Sequence, residues 1–168
     1  MKNIILIDYE NVQANNLDPL YALDTKIYVF VGKNQKSITF DLVQSAQKFG
    51  DRMEWVKISG NGPNALDFHI ACYIGRFLEN GEKAYIHIIS KDKGFDPLVE
   101  HTRLEGGLIA RECRIEEIPI IADTLRIKEN PIEFIKGKLT KGTKPKRQKT
   151  LVNAIKKILA LKIGRAHV

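Results

Sequence analysis

At 168 residues and 43% apolar composition, the chain is long enough for one domain with a buried core and a fragment of a second. No apolar run reaches the roughly 18 residues that would cross a bilayer. Met1-Lys2-Asn3 leads straight into a short strand with no small-residue cleavage site, so neither a membrane span nor a signal peptide is expected. Cys72 and Cys113 belong to no metal-spaced cluster; they read as buried thiols of a protein in a reducing cytoplasm. The net charge of +7 is unevenly spread: residues 136–168 hold eleven of the 27 basic residues and no acidic one, which leaves 16 basic against 20 acidic in residues 1–135. A mildly acidic body with a strongly basic tail suits a phosphate-rich partner.

In chain order, continuous Ile, Val and Leu runs predict strands near 3–8, 26–31, 53–58, 84–89 and 107–111. Helical patterns fall between them near 17–23, 37–49, 64–79 and 95–105. Such alternation implies an α/β fold of three layers, with a doubly wound, mostly parallel sheet of about five strands. Asn64 or Pro63 opens the third helix, and Gly81 follows its end. Ile118-Pro119-Ile120-Ile121 reads as an edge strand or an extended connection, and Asn130-Pro131 starts a short helix.

The expected organisation is a domain over 1–135, a basic flexible linker over 136–149 and an amphipathic helix over 150–162. The stripe Leu151, Ile155, Ile158 and Leu159 needs a partner: the body, a second copy in a homodimer, or a missing C-terminal domain. Residues 163–168 resemble the translation of a common sequencing adapter, so they are set aside as a non-native tail and the natural chain is expected to continue.

Four aspartates stand at the carboxyl ends of the predicted strands or open the helices beside them. Asp8 ends the first strand, Asp67 lies early in the third helix, and Asp92 and Asp96 follow the fourth strand. In an open α/β sheet that edge is where ligands bind. Carboxylates gathered there repel one another unless a cation lies between them, and oxygen ligands suit Mg²⁺ or Mn²⁺. The pattern points to metal-assisted phosphodiester chemistry.

Asp8-Tyr9-Glu10-Asn11, the middle acidic residue Asp67, and Ser90-Lys91-Asp92-Lys93-Gly94-Phe95-Asp96-Pro97-Leu98 occur in the order and spacing of the NYN branch of the PIN-like nucleases. The resemblance covers residues 1 to about 121. It implies RNA rather than DNA cleavage by a metal-activated water, with Asp8, Asp67, Asp92 and Asp96 as catalytic metal ligands. Gly94 departs from the commoner acidic residue at its position, and Asp96, two residues on, is expected to take that role. Asn11 can fix Asp8 or a phosphate, and Ser90 can orient Asp92. Glu10 is expected to point away from Asp8.

Substrate contacts are expected from Lys33, Gln35 and Lys36 after the second strand, Asn61 after the third, and Lys91 beside Asp92. His69, His87, Trp55 and Phe30 read as packed residues. The competing reading is a module of the same fold that binds RNA through its basic tail without cutting it. A receiver domain would need an aspartate where the third strand ends in Lys57-Ile58-Ser59, and a dinucleotide-binding fold would need a glycine-rich turn in place of Asp8-Tyr9-Glu10-Asn11.

Overall fold

The computed structural model describes residues 2–81, 83–140 and 148–163. It divides into two compact units, Met1–Glu117 and Ile118–Val168.

The first unit is built on five parallel strands: β1 (Lys2–Asp8), β2 (Thr25–Val31), β3 (Met53–Lys57), β4 (Ala84–Ile89) and β5 (Ile109–Glu112). Their spatial order is β3-β2-β1-β4-β5. Three helices link them: α1 (Phe40–Gln47), α2 (Ala65–Glu79) and α3 (Asp96–Leu104). The chain winds outward from β1 through β2 to β3, then crosses back to β4 and β5. Right-handed crossovers in opposite directions place their helices on opposite faces, which gives three layers.

Packing bears this out. The pleat sends alternate residues to opposite faces. Ile4 and Leu6 of β1, with Ile86 and Ile88 of β4, join one core cluster with Leu66, Ile70, Ile74 and Phe77 of α2 and Val99 of α3. The α2 residues recur at helical spacing, so one stripe of that helix is buried. Ile5, Ile7, Ile27 and Val29 are fully buried outside this cluster, as are Leu17, Leu20 and Leu42. β1 is central and covered on both sides, which is why its sequence runs apolar without alternation.

Several expectations change here. The helical pattern near 17–23 closes only a 3₁₀ turn, Asp18–Leu20, held to α1 by the Leu17 N–H donating to Ser45 Oγ (2.8 Å). Trp55 lies on β3 at the sheet edge, where one neighbour is missing, and is 39% exposed rather than core. Cys72 is exposed because it falls off the buried stripe of α2, and Cys113 is half-buried. His87 is buried as expected, and Phe30 is fully buried.

The second unit holds α4 (Pro119–Glu129), α5 (Pro131–Thr140) and α6 (Gln148–Ile163). The segment read as an edge strand or connection at Ile118–Ile121 instead begins α4, with Pro119 at its first turn, where the missing N–H costs nothing. α5 runs into the range assigned to the linker, and residues 141–147 of that linker lie outside the described residues. α6 packs with α4 and α5, and Leu151, Ile155 and Ile158 are half-buried. Most of the suspected tail, residues 164–168, also lies outside the described residues.

Candidate active site

Because all five strands are parallel, their carboxyl ends share one edge. α2 and α3 start from that edge, so their first turns lie beside the strand ends. The strand order reverses between β1 and β4, and the crevice at such a switch point is where open α/β sheets bind ligands.

Asp8 ends β1 at that point and is fully buried. Its Oδ1 accepts the backbone N–H groups of Glu10 (3.2 Å) and Asn11 (3.1 Å). Its Oδ2 accepts Asn11 Nδ2 (2.7 Å) and the hydroxyl of Ser90 (2.8 Å). Four hydrogen bonds compensate the charge, which explains how the group is tolerated at zero exposure. Asn11 thus spends its side-chain amide on Asp8. Ser90 directly follows β4, and its Oγ also accepts the Asp92 N–H (3.0 Å). The Asp92 side chain turns back to accept the Gly94 N–H at 2.7 Å, capping the 3₁₀ turn Lys93–Phe95 that leads into α3. A side chain at Gly94 would press on that carboxylate, with its Cβ 3.1 Å from Asp92 Oδ1.

Asp67 sits in the first turn of α2, after Asn64 has taken a left-handed conformation (φ 62°) to start the helix. Its carboxyl is raised above the ordinary range, first by burial and then by the negative charges of Asp8, Asp92 and Glu10. Asp67 is therefore within electrostatic reach of both Asp8 and Asp92. Glu10 adds its charge to Asp67 as the smallest of these effects, although the sequence expectation leaves it out of the site. β1 ends at Asp8, so strand alternation no longer governs Glu10, and its carboxylate lies against Gly32 at the end of β2. The signal for it was the turn-forming Asp8-Tyr9-Glu10-Asn11 itself.

Asp96 is differently placed. Arg111 at the end of β5 donates Nε to Asp96 Oδ1 (2.6 Å) and Nη2 to Oδ2 (3.3 Å), which holds the Asp96 carboxyl below the usual range. Both of its oxygens are thus engaged by Arg111. Nothing in the sequence pattern singled out Arg111.

Lys33, Lys36, Asn61 and Lys91 are exposed in the loops after β2, β3 and β4. Gln35 is half-buried, with Nε2 donating to the nearby Ser37 carbonyl (2.7 Å). His69 bonds the Ala65 carbonyl one turn back (2.7 Å), as a packed helix residue does.

Among the described residues, no three His, Cys, Asp or Glu side chains stand in mutual ligating contact. In donor chemistry the set still fits an oxygen-preferring divalent ion: Asp8, Asp67, Asp92 and Glu10 supply carboxylates only, and Asp67, raised first by burial, also feels the negative charge of the other three.

A five-stranded parallel sheet with an acidic crevice at its switch point defines the class of α/β domains that use carboxylates at the strand ends. The family model for the PIN domain matches residues 2–112, and the chain belongs to that family. PIN domains are in general a metal-dependent nuclease fold and typically use divalent metals. No curated protein and no solved structure gives a significant match.

Proposed function

We propose that this chain is a divalent-metal-dependent ribonuclease of the NYN branch, working in the cytoplasm. The observation that carries this reading is the switch point itself, where the fully buried Asp8 at the end of β1 and the Asp92 backbone share the Ser90 hydroxyl, with Asp67 in the first turn of α2 close enough to feel both charges. Four carboxylates from β1, its following turn, α2 and the loop after β4 converge electrostatically where the sheet order reverses.

Asp8, Asp67 and Asp92 would hold Mg²⁺ or Mn²⁺, with Glu10 adding charge. When bound, such an ion lowers the pKa of a water and offsets charge that develops on phosphate oxygens. The protein's own part is positioning. Asn11 and Ser90 fix the Asp8 carboxylate from two sides, and the Asp92 cap fixes the start of α3. Lys33, Lys36 and Lys91, exposed in the loops after β2 and β4, would meet phosphates. The basic residues of 136–168 add affinity for the nucleic-acid backbone without reading sequence. RNA is favoured over DNA on the likeness of Asp8–Asn11 and Ser90–Leu98 to the NYN signatures.

The test is incubation of purified protein with labelled single-stranded RNA and the matching DNA, in Mg²⁺, Mn²⁺ or EDTA. RNA cut only with an ion supports the reading. Equal cutting of DNA would remove the RNA assignment, and salt-sensitive binding without any cutting would favour the non-catalytic module.

A further inference from the structure

Among the described residues, Arg111 stands out as the cation that touches the loop carrying Asp92 at both ends. Its Nη1 donates to the Ser90 carbonyl (3.0 Å), where the loop leaves β4. Its Nε and Nη2 bind the two oxygens of Asp96, where the loop enters α3. Between these anchors lies the Asp92 turn, tied to Ser90 Oγ and to the Gly94 N–H. The Arg111 side chain is only 14% exposed, although its partner Asp96 is 53% exposed. β5 pairs with β4 in parallel, Ile88 opposite Arg111, so the strand delivers the guanidinium beside the end of β4.

We propose that Arg111 is the positioning residue of the acidic site: its guanidinium clamps the loop from Ser90 to Asp96 and so sets the Asp92 carboxylate and the Ser90 hydroxyl against Asp8. This rests on the reading that Asp8, Asp67 and Asp92 hold a divalent ion. The guanidinium suits the task because its planar fork makes these bonds at once from one rigid group. A lysine would keep the charge and lose the fork. Its own charge is spent on Asp96, so it leaves the negative crevice uncompensated and open to a cation. Asp96 acts here as the clamp's counterpart and not as a metal ligand.

The test is Mn²⁺ titration of the full chain, followed by calorimetry, with amide exchange of the 90–96 segment measured in EDTA. Wild type, Arg111→Lys, Asp96→Asn and Asp92→Asn are compared. The clamp predicts that Arg111→Lys weakens Mn²⁺ binding about tenfold or more, the range found when groups supporting metal ligands are lost. It also predicts faster exchange at Asp92 and Gly94 in both Arg111→Lys and Asp96→Asn, with exchange in β1 and β4 unchanged. Unaltered affinity and exchange in Arg111→Lys would overturn the clamp while wild-type binding upheld the metal site. Tighter binding in Arg111→Lys would also overturn it, because it would mean that Arg111 masks Asp96 as a ligand. Absence of Mn²⁺ binding in wild type would overturn the metal reading and this inference with it. Should Arg111→Lys fail to fold, the exchange rates of Asp96→Asn decide: rates like those of wild type would overturn the clamp.

Discussion

Ser90 donates its hydroxyl hydrogen to Asp8 Oδ2 at 2.8 Å across 82 residues of chain, joining the end of β4 to the end of β1 where both are fully buried. This bond closes the switch point of the sheet, and the same Oγ receives the Asp92 N–H. One hydroxyl therefore relates two of the carboxylates.

Ser90→Ala leaves the buried Asp8 with three donors and the Asp92 N–H without its acceptor. The expected loss is about 1–3 kcal/mol of folding stability, the cost of a buried polar group that loses its partner. Urea denaturation in EDTA measures it. A change under about 0.5 kcal/mol would show that water replaces the hydroxyl without penalty.

Asp67 offers a pH test with a definite sign. Its carboxyl is raised by burial first and by Asp8, Asp92 and Glu10 after it. A raised carboxyl contributes stability below its ordinary value of 3.8 and loses it as the pH rises through the raised folded value. In EDTA at pH 7, Asp67→Asn is therefore expected to melt higher than wild type, with the advantage fading as the pH falls toward that ordinary value. Saturating Mn²⁺ is expected to reverse the order, since only the wild type holds the ion fully. Thermal melts across pH, with and without Mn²⁺, give the answer.

Gly32 and Glu10 test the fourth carboxylate. A Cβ at position 32 would collide with the Glu10 carboxylate, which is the far end of a flexible side chain. Gly32→Ala is expected to fold with a loss under about 1 kcal/mol while pushing Glu10 aside. Glu10→Gln removes the charge outright. Both are expected to weaken Mn²⁺ binding by on the order of 1 kcal/mol, roughly fivefold, through one displaced or deleted charge. Calorimetric titration checks it, and unchanged affinity in Glu10→Gln would remove Glu10 from the site.

Much of this arrangement was legible in the sequence, for identifiable reasons. Ile4 to Ile7 run apolar, and Ile86, Ile88 and Ile89 surround a buried His87, because parallel strands in a covered sheet are buried on both faces. Asp8, Asp67 and Asp92 were legible because a parallel sheet sends every strand end and the following helix start to one edge. Glu10 was left out of the site because strand alternation was carried past the end of β1 at Asp8. α4 was misread because a proline between isoleucines looks like an extended segment, yet proline is equally at home in a helix's first turn. The Arg111–Asp96 pair joins residues fifteen apart on different elements, and only the register of β5 on β4 brings them together. Trp55 was taken for core because the order of strands, and so which one is the edge, is not written in any single strand.

The basic residues of 136–168 are a test of a different kind. Replacing Lys144, Lys146, Arg147 and Lys149 with glutamine is expected to weaken RNA binding and flatten its dependence on salt, by up to about 0.7 per lost phosphate contact on single strands. Cleavage of a short oligonucleotide at saturation is expected to be unchanged. Binding curves between low and physiological salt check the slope, and an unaltered slope would mean that these side chains make no phosphate contacts.

The most direct test of the central claim is the rate of labelled RNA cleavage in Mn²⁺ by wild type, Asp92→Asn and the double variant Asp8→Asn with Asp92→Asn. Asp92 is half-buried and capped only by the neighbouring Gly94 N–H, so its single variant separates loss of chemistry from loss of folding. The account predicts cleavage by wild type alone, a fall of at least about a hundredfold in Asp92→Asn (about 2.7 kcal/mol in the barrier), and none above background in the double variant. Wild-type rates retained by folded Asp92→Asn, or the same rate in EDTA as in Mn²⁺, would contradict it.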